Sequence, residues 1–405
     1  MPRFAVSLLV LLLLSPLAHA AKRRAAGHPS GLTPEGIIAI ARRVADRVTW
    51  TYHPRLHWEN AVYFDGIVLF GEQLELRQAG SGRKYYDLAS WVILNGDDPI
   101  ETVYWGDGTA YGQAAMDLHR LLATGDARRE QLLTKLEGPM RFAEHAMRAN
   151  AATAAPREPW WTPSGYGARY WQDDLYMVAP WLAMYGASGN ELARNLAYEW
   201  IESYLYDHRD GDIPSMRARN GLLLWDPDHG LLQHEPAYIG SSEFFWGRGN
   251  GWALVALMRA AEALDAPYTG GRYERVVTRD EIREMLRAAA ASVITRRASD
   301  GGWGSHLSFP EKCGGSETSA TALMTFFLAR GVNEGWLERE VYTPVIHRAF
   351  ALLMNRVDAQ GIVSGIQPPD IGPGCGMTTS AGAVNVNYGP GALLLATAEV
   401  LRMIQ

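Results

Sequence analysis

"YWQDDLYMVAPWLAMYG", Tyr170 to Gly186, sets two adjacent acids into a wall of aromatic and aliphatic side chains. Neighbours in a helix do not share a face, so Asp173 and Asp174 point to different places. Proline is comfortable only in a helix's first turn, so Pro180 predicts a helix start near Ala179 or a kink there. Either way, "WQDDLYM" lies at or before a helix start. One acid is then available to the orphan backbone N–H groups of that start. Its neighbour projects into a pocket walled by Trp171, Tyr176 and Met177. A carboxyl among aromatic groups has its charged form disfavoured and its pKa raised, which suits a general acid. Two capping or surface carboxylates are the plainer alternative.

Outward from this stretch the same patterning repeats. Thr33-Pro34-Glu35 opens a helix with proline in its first turn. Apolar residues recur at helical spacing around 35–49, 61–77, 109–123, 128–148, 174–186 and 190–206. They do so again around 250–265, 279–296, 317–330, 337–356 and 381–404. Strand-like alternation is scarce. Alternate helices are rich in Gly, Ala and aromatic residues, whereas their partners carry Arg and Glu. That division is what two concentric rings need, since inner helices meet protein on most sides and outer ones face water. The expected fold is all-α, an (α/α)6 barrel of six hairpins forming one domain over 33–405. A stacked solenoid is the alternative, and the absence of a clear repeat weighs against it.

The N-terminus reads differently. Arg3, the apolar run "FAVSLLVLLLL" and Ala18-His19-Ala20 predict a signal peptide over 1–20, followed by a flexible segment over 21–32. Export to the periplasm or the medium is therefore expected, with no membrane span after cleavage. A formal charge of -6 with interspersed signs gives nucleic acid no basic block to bind. Cys313 and Cys375 are the only two cysteines, and export permits them one disulfide or leaves them as free thiols. No spacing in the chain calls for a metal or cofactor.

Three other stretches carry candidate chemistry. "WGDGTAYGQ" places Asp107 in a Gly-flanked turn ahead of a helix, where capping alone is the rival explanation. "FWGRGNGWALVAL" sets Trp246, Arg248 and Trp252 among three glycines, which let backbone approach a ligand closely. Arg248 is able to clamp a carboxylate there, or to be a buried structural arginine paired with an acid. "DGGWGSHLSFPEKCGGSETSATAL" reads as an aromatic rim loop before a capped helix, with Trp303, His306 and Glu317 as candidates.

Together with "GGSETSATALMTFFLARGVNEG", these blocks make the chain resemble glycoside hydrolase family 105, the unsaturated rhamnogalacturonyl hydrolases, and the related family 88 unsaturated glucuronyl hydrolases. The likeness runs from about 35 to 400. It implies an (α/α)6 barrel and an oligosaccharide substrate left by a lyase with a C4=C5 double bond. It also implies a mechanism in which an aspartic acid protonates C4, water adds at C5, and the resulting hemiketal opens to release the aglycone. On this resemblance Asp173 matches the catalytic aspartate and Asp107 the second acid. Trp246 and Arg248 match positions that bind the unsaturated sugar, with Trp171, Met177, Trp252 and Trp303 as further substrate-binding candidates. Asp174 is then left to hold the turn.

Two departures stand out. Where relatives often carry a histidine ahead of an aromatic-Asp pair, this chain has Leu224 before Trp225-Asp226, so His229 or His234 is the candidate replacement. Ala320 stands where relatives often have glycine. Two rival functions use the same residues: an inverting hydrolase on a saturated glycan, with carboxylates roughly 6.5–9.5 Å apart, and a secreted sugar-binding protein that uses the tryptophans as platforms.

Overall fold

A helix without a polar face is stable only inside a ring of others. In the computed structural model, which describes residues 32–47, 56–96, 106–152, 171–206, 224–234, 245–273, 275–369, 375 and 386–405, that ring is closed. The expected leader (1–20) and the segment up to residue 31 lie outside the described residues. In chain order the first helices are α1 (Pro34–Ala45), α2 (Trp58–Arg77), α3 (Arg83–Asn95), α4 (Gly112–Leu121), α5 (Arg128–Lys135) and α6 (Glu137–Ala152). They continue as α7 (Gln172–Ala187), α8 (Glu191–Leu205), α9 (Gly247–Ala263), α10 (Arg279–Val293), α11 (Thr318–Asn333), α12 (Arg339–Asn355) and α13 (Tyr388–Met403).

The inner ring runs α2, α4, α7, α9, α11, α13, each packed on the next, and α13 returns to α2. Outer helices back it: α1 on α13, α3 on α2, α5 on α4, α8 on α7, α10 on α9 and α12 on α11. Burial follows position. Every residue of α9 from Gly247 to Ala261 is buried, whereas α10 buries one stripe, Ile282, Met285, Leu286, Ala289, Ala290 and Val293. Close approach in the inner ring needs glycine. A Cβ on Gly66 of α2 would lie 2.5 Å from the Gly391 carbonyl oxygen of α13. The only described strands are the two-residue pair Trp225–Asp226 and Leu231–Leu232. No helix among the described residues is long and apolar enough to cross a membrane.

One expectation changes and two open alternatives are settled. α3 was not among the helical stretches read from sequence. Its apolar residues Tyr85, Tyr86, Ala89, Val92 and Ile93 do keep helical spacing, but Gly80 and Gly82 crowd its start. Pro180 neither starts nor ends α7; the helix begins at Gln172 and carries the proline in its interior. Cys313 and Cys375 form a disulfide, with Cα atoms 4.9 Å apart.

The barrel interior is tied by charge. Arg259 of α9 donates to Asp65 of α2 at 2.6 Å, to Gln113 of α4 at 2.9 Å and to Asp117 of α4. Arg330 of α11 likewise bridges Glu262 of α9 and Glu399 of α13, each at 2.6 Å. Losing one partner of such a buried cluster strands the others without water. Arg259→Leu is therefore expected to destabilise the fold by about 3–5 kcal/mol, whereas removing the exposed Arg287, paired with Glu284, should cost about 0.5 kcal/mol or less. Chemical denaturation of the two variants checks this, and equal effects would contradict it.

Candidate active site

The N-terminal ends of the inner helices meet at one rim of the barrel. The Trp58 ring at the start of α2 lies 4.9 Å from Tyr388 at the start of α13. Arg248, in the first turn of α9, donates to the Tyr388 hydroxyl at 3.0 Å. Gly249 of α9 leaves room for the Gln172 amide of α7. Helix N-termini carry partial positive charge and unsatisfied N–H groups, so this rim favours anions.

Asp107 occupies a 3₁₀ turn, Gly106–Thr109, just before α4. That turn is fixed to α7 through the proline. Pro180 has no N–H for the Tyr176 carbonyl four residues earlier, and the Gln113 side-chain amide donates to that carbonyl instead, at 2.7 Å. One residue on, the Thr109 hydroxyl lies 3.0 Å from the Met177 carbonyl and 2.8 Å from that of Gly106, and the Trp181 indole N–H donates to Thr109 Oγ1 at 3.3 Å. Gly106 fits because it lacks a side chain: a Cβ there would lie 2.9 Å from Asp174 Oδ1.

Asp173 and Asp174 stand in the first turn of α7. Asp173 keeps 20% of its side-chain surface exposed, and its Oδ2 lies 3.7 Å from Nδ1 of His234. His234 is stacked on Trp171 and set edge-on to Trp246. Asp174 turns the other way. It accepts hydrogen bonds from the Tyr204 hydroxyl at 3.1 Å and from the Trp171 backbone, so it holds the helix start, as expected, while standing beside Asp107.

Burial governs the protonation of all three carboxyls. Asp107 is pushed up to about 7 by burial and then by the charges of Asp173 and Glu59. Asp173 is raised to about 6 by burial, with the positive charge of Arg248 drawing it back down. Asp174 is raised well above the usual carboxylate range by burial and by its two acidic neighbours. Three crowded carboxyls do not all ionise near neutrality, so the cluster retains protons there and titrates as a unit.

Across the site, the guanidinium of Arg248 lies over the rings of Trp246 and Tyr388, at 4.7 and 5.1 Å. It donates to the carbonyls of Gln367 at 2.6 Å and Pro368 at 3.1 Å. Among the described residues, no carboxylate forms an ion pair with it. The Trp246 indole N–H donates to Gln367 Oε1 at 2.9 Å. The result is a buried cation held by neutral acceptors beside partly exposed acids.

The structure thus brings together Asp107, Asp173, Trp171, Trp246 and Arg248. Met177 is buried beneath the Asp107 turn. Trp252 and Trp303 offer no platform for a sugar, since both are fully buried. Trp252 packs on Tyr176, and the Trp303 indole N–H donates to the Val293 carbonyl at 2.8 Å. Of the two replacement histidines, His234 is at the site, whereas His229 sits 3.1 Å from Asp226 and against Phe245. Ala320 lies behind Gly247. Trp58, Gln367 and Tyr388 went unread in the sequence; Tyr388 follows an Asn-rich run and opens a Gly-Pro-Gly turn of helix, a faint signal at most.

A family model, Glycosyl Hydrolase Family 88, matches residues 39–404. An unsaturated 3S-rhamnoglycuronyl hydrolase from Formosa agariphila is 28% identical over 238 residues, which span 58% of this chain and 58% of that relative. The solved structure of a family 88 glycosyl hydrolase from Bacteroides vulgatus has a TM-score of 0.64 at 24% identity, covering 92% of this chain and 99% of its own. A possible member of glycoside hydrolase family 105 from Klebsiella pneumoniae gives 0.66 at 17% identity, covering 98% and 99%. Both structures share the six-hairpin barrel.

The buried acids carry a stability signature. Asp107 binds its proton more tightly when folded than when unfolded, so its ionisation costs stability as pH rises from the unfolded carboxyl value through about 7. Asp107→Asn removes that cost. The variant should melt a few degrees above the parent at alkaline pH, with the gain shrinking toward acid pH; a gain independent of pH would contradict the assignment.

Proposed function

Because the chain belongs to glycosyl hydrolase family 88, we propose that it removes an unsaturated (C4=C5) uronic acid from the non-reducing end of lyase-generated oligosaccharides by hydrating the double bond. The observation that carries this reading is the facing pair already described: carboxyls that retain protons near neutrality, and a buried arginine that no carboxylate among the described residues pairs with. A uronate supplies the missing anion. Its carboxylate meets Arg248 at the positive ends of the inner helices, with the sugar against Trp171 and Trp246.

With the ring so placed, Asp173 lies over the alkene and delivers its proton to C4. Positive charge develops at C5 and the ring oxygen, and Asp107 takes a proton from the water that adds to C5. The hemiketal then opens and the aglycone leaves. Arg248 links binding to chemistry. Its charge holds Asp173 down in the empty site; a bound carboxylate neutralises that charge and strengthens the hold of Asp173 on its proton.

Rhamnose as the next sugar is supported by the name of the Formosa relative. Lyase-treated pectin and a lyase-treated rhamnoglycuronan are accordingly the first substrates to supply. Export, expected from the leader over 1–20, agrees with the Cys313–Cys375 disulfide, a bond that persists in oxidising compartments.

Two experiments test this reading. Asp173→Asn should lower the loss of C4=C5 absorbance from an unsaturated disaccharide by at least about 10²-fold while leaving the folded spectrum intact; full activity would overturn the assignment. The productive form is the singly protonated pair with its proton on Asp173 and Asp107 ionised, so the kcat/KM profile should be a narrow bell whose two limbs, near 6 and 7, belong to the pair. In Arg248→Met the lower limb rises, because the charge that depresses Asp173 is gone, so the bell moves to higher pH and KM increases. An unmoved profile would contradict the coupling.

A further inference from the structure

Glu317 is a fully buried carboxylate that the proposed chemistry does not use. It is the N-cap of α11 and accepts from the backbone N–H groups of Ser319 at 2.9 Å and Ala320 at 2.6 Å, as well as from the Ser319 hydroxyl. Capping alone does not require glutamate, because Ser, Thr, Asp and Asn do that work with shorter side chains. What the extra methylene adds is reach. Glu317 Oε1 also accepts the backbone N–H of Gln367 at 2.8 Å, fifty residues on and likewise fully buried.

Gln367 is the residue on which the anion subsite rests. Its carbonyl accepts from Arg248 and from the Tyr388 hydroxyl, and its side-chain oxygen accepts from the Trp246 indole. The same chain segment is fastened to the α11 cap at two further points. The Thr318 N–H donates to the Gly365 carbonyl at 2.8 Å, and the Thr318 hydroxyl to that of Ser364 at 2.6 Å. Gly365 turns the segment with φ at +73°, and two residues on the Gln367 N–H is held by Glu317 while the Gln367 carbonyl meets Arg248.

We propose that Glu317 is a positioning residue for substrate: by capping α11 and holding the Gln367 backbone with one carboxylate, it sets where Arg248 and Trp246 present themselves to a uronate. The proposal rests on the uronate reading above. It places Glu317 upstream of binding, without contact with the reacting atoms.

Glu317→Asp separates the two jobs, since aspartate caps a helix well but is one methylene too short to reach Gln367 as well. The variant should still fold cooperatively, melting no more than a few degrees below the parent for the one buried N–H left unpaired. Its KM for an unsaturated disaccharide should rise about tenfold with kcat within about twofold, while KM for the methyl ester of the same disaccharide stays where it is in the parent. Ser319→Ala, which loses a hydroxyl bond to the same carboxylate and leaves Gln367 alone, should leave both KM values unchanged. Calorimetry in an Asp173→Asn background gives a readout independent of turnover, and adding Glu317→Asp should weaken disaccharide binding by the same factor. An unchanged KM and affinity for the acid in a folded Glu317→Asp, or equal losses for acid and ester, would overturn the proposal. A parent enzyme that takes ester and acid alike would sink the uronate reading itself, a result distinguishable from the other two.

Discussion

A guanidinium buried against two aromatic rings and two carbonyls, with no described carboxylate to answer its charge, is the constraint from which the rest of the site follows. Burying such a charge is costly, and Arg248 is 2% exposed. Its field reaches Asp173. It also stands among helix N-termini of like polarity. Such an arrangement is stable enough to fold only because the barrel around it is strongly tied, and it is chemically useful only if an anion completes it.

That tying is the work of the inner ring. Arg259 joins α2, α4 and α9, and Arg330 joins α9, α11 and α13. Neither pair touches the acids at the rim. Pro180 does the finer positioning. By denying its N–H to the Tyr176 carbonyl, it leaves that acceptor for Gln113, while Thr109 reaches the next carbonyl, and the turn bearing Asp107 is seated on the helix bearing Asp173. Removing a hydrogen bond inside one helix thus fixes the relation between two.

Much of this was legible in the chain. Residues that are neighbours in sequence declared themselves: Trp171 with Asp173, Trp246 with Arg248, and Asp107 between glycines. The all-round apolar character of the inner helices gave the barrel. What stayed hidden depends on contacts between distant segments. Gln367 and Tyr388 lie 119 and 140 residues from Arg248, and no local pattern marks a carbonyl as an arginine acceptor. Trp252 and Trp303 show the converse: an indole beside glycines looks the same in sequence whether it lines a cavity or fills a core. α3 escaped because Gly80 and Gly82 crowd its start and break the helical spacing there.

The most direct test of hydration follows two signals at once on a single unsaturated disaccharide: the absorbance of the C4=C5 bond and the appearance of the released sugar. If protonation of the alkene comes first, the absorbance disappears at least as fast as the sugar appears, at every pH and temperature. Sugar released while the alkene absorbance persists would mean direct displacement at the glycosidic carbon, and the account given for Asp173 would be wrong.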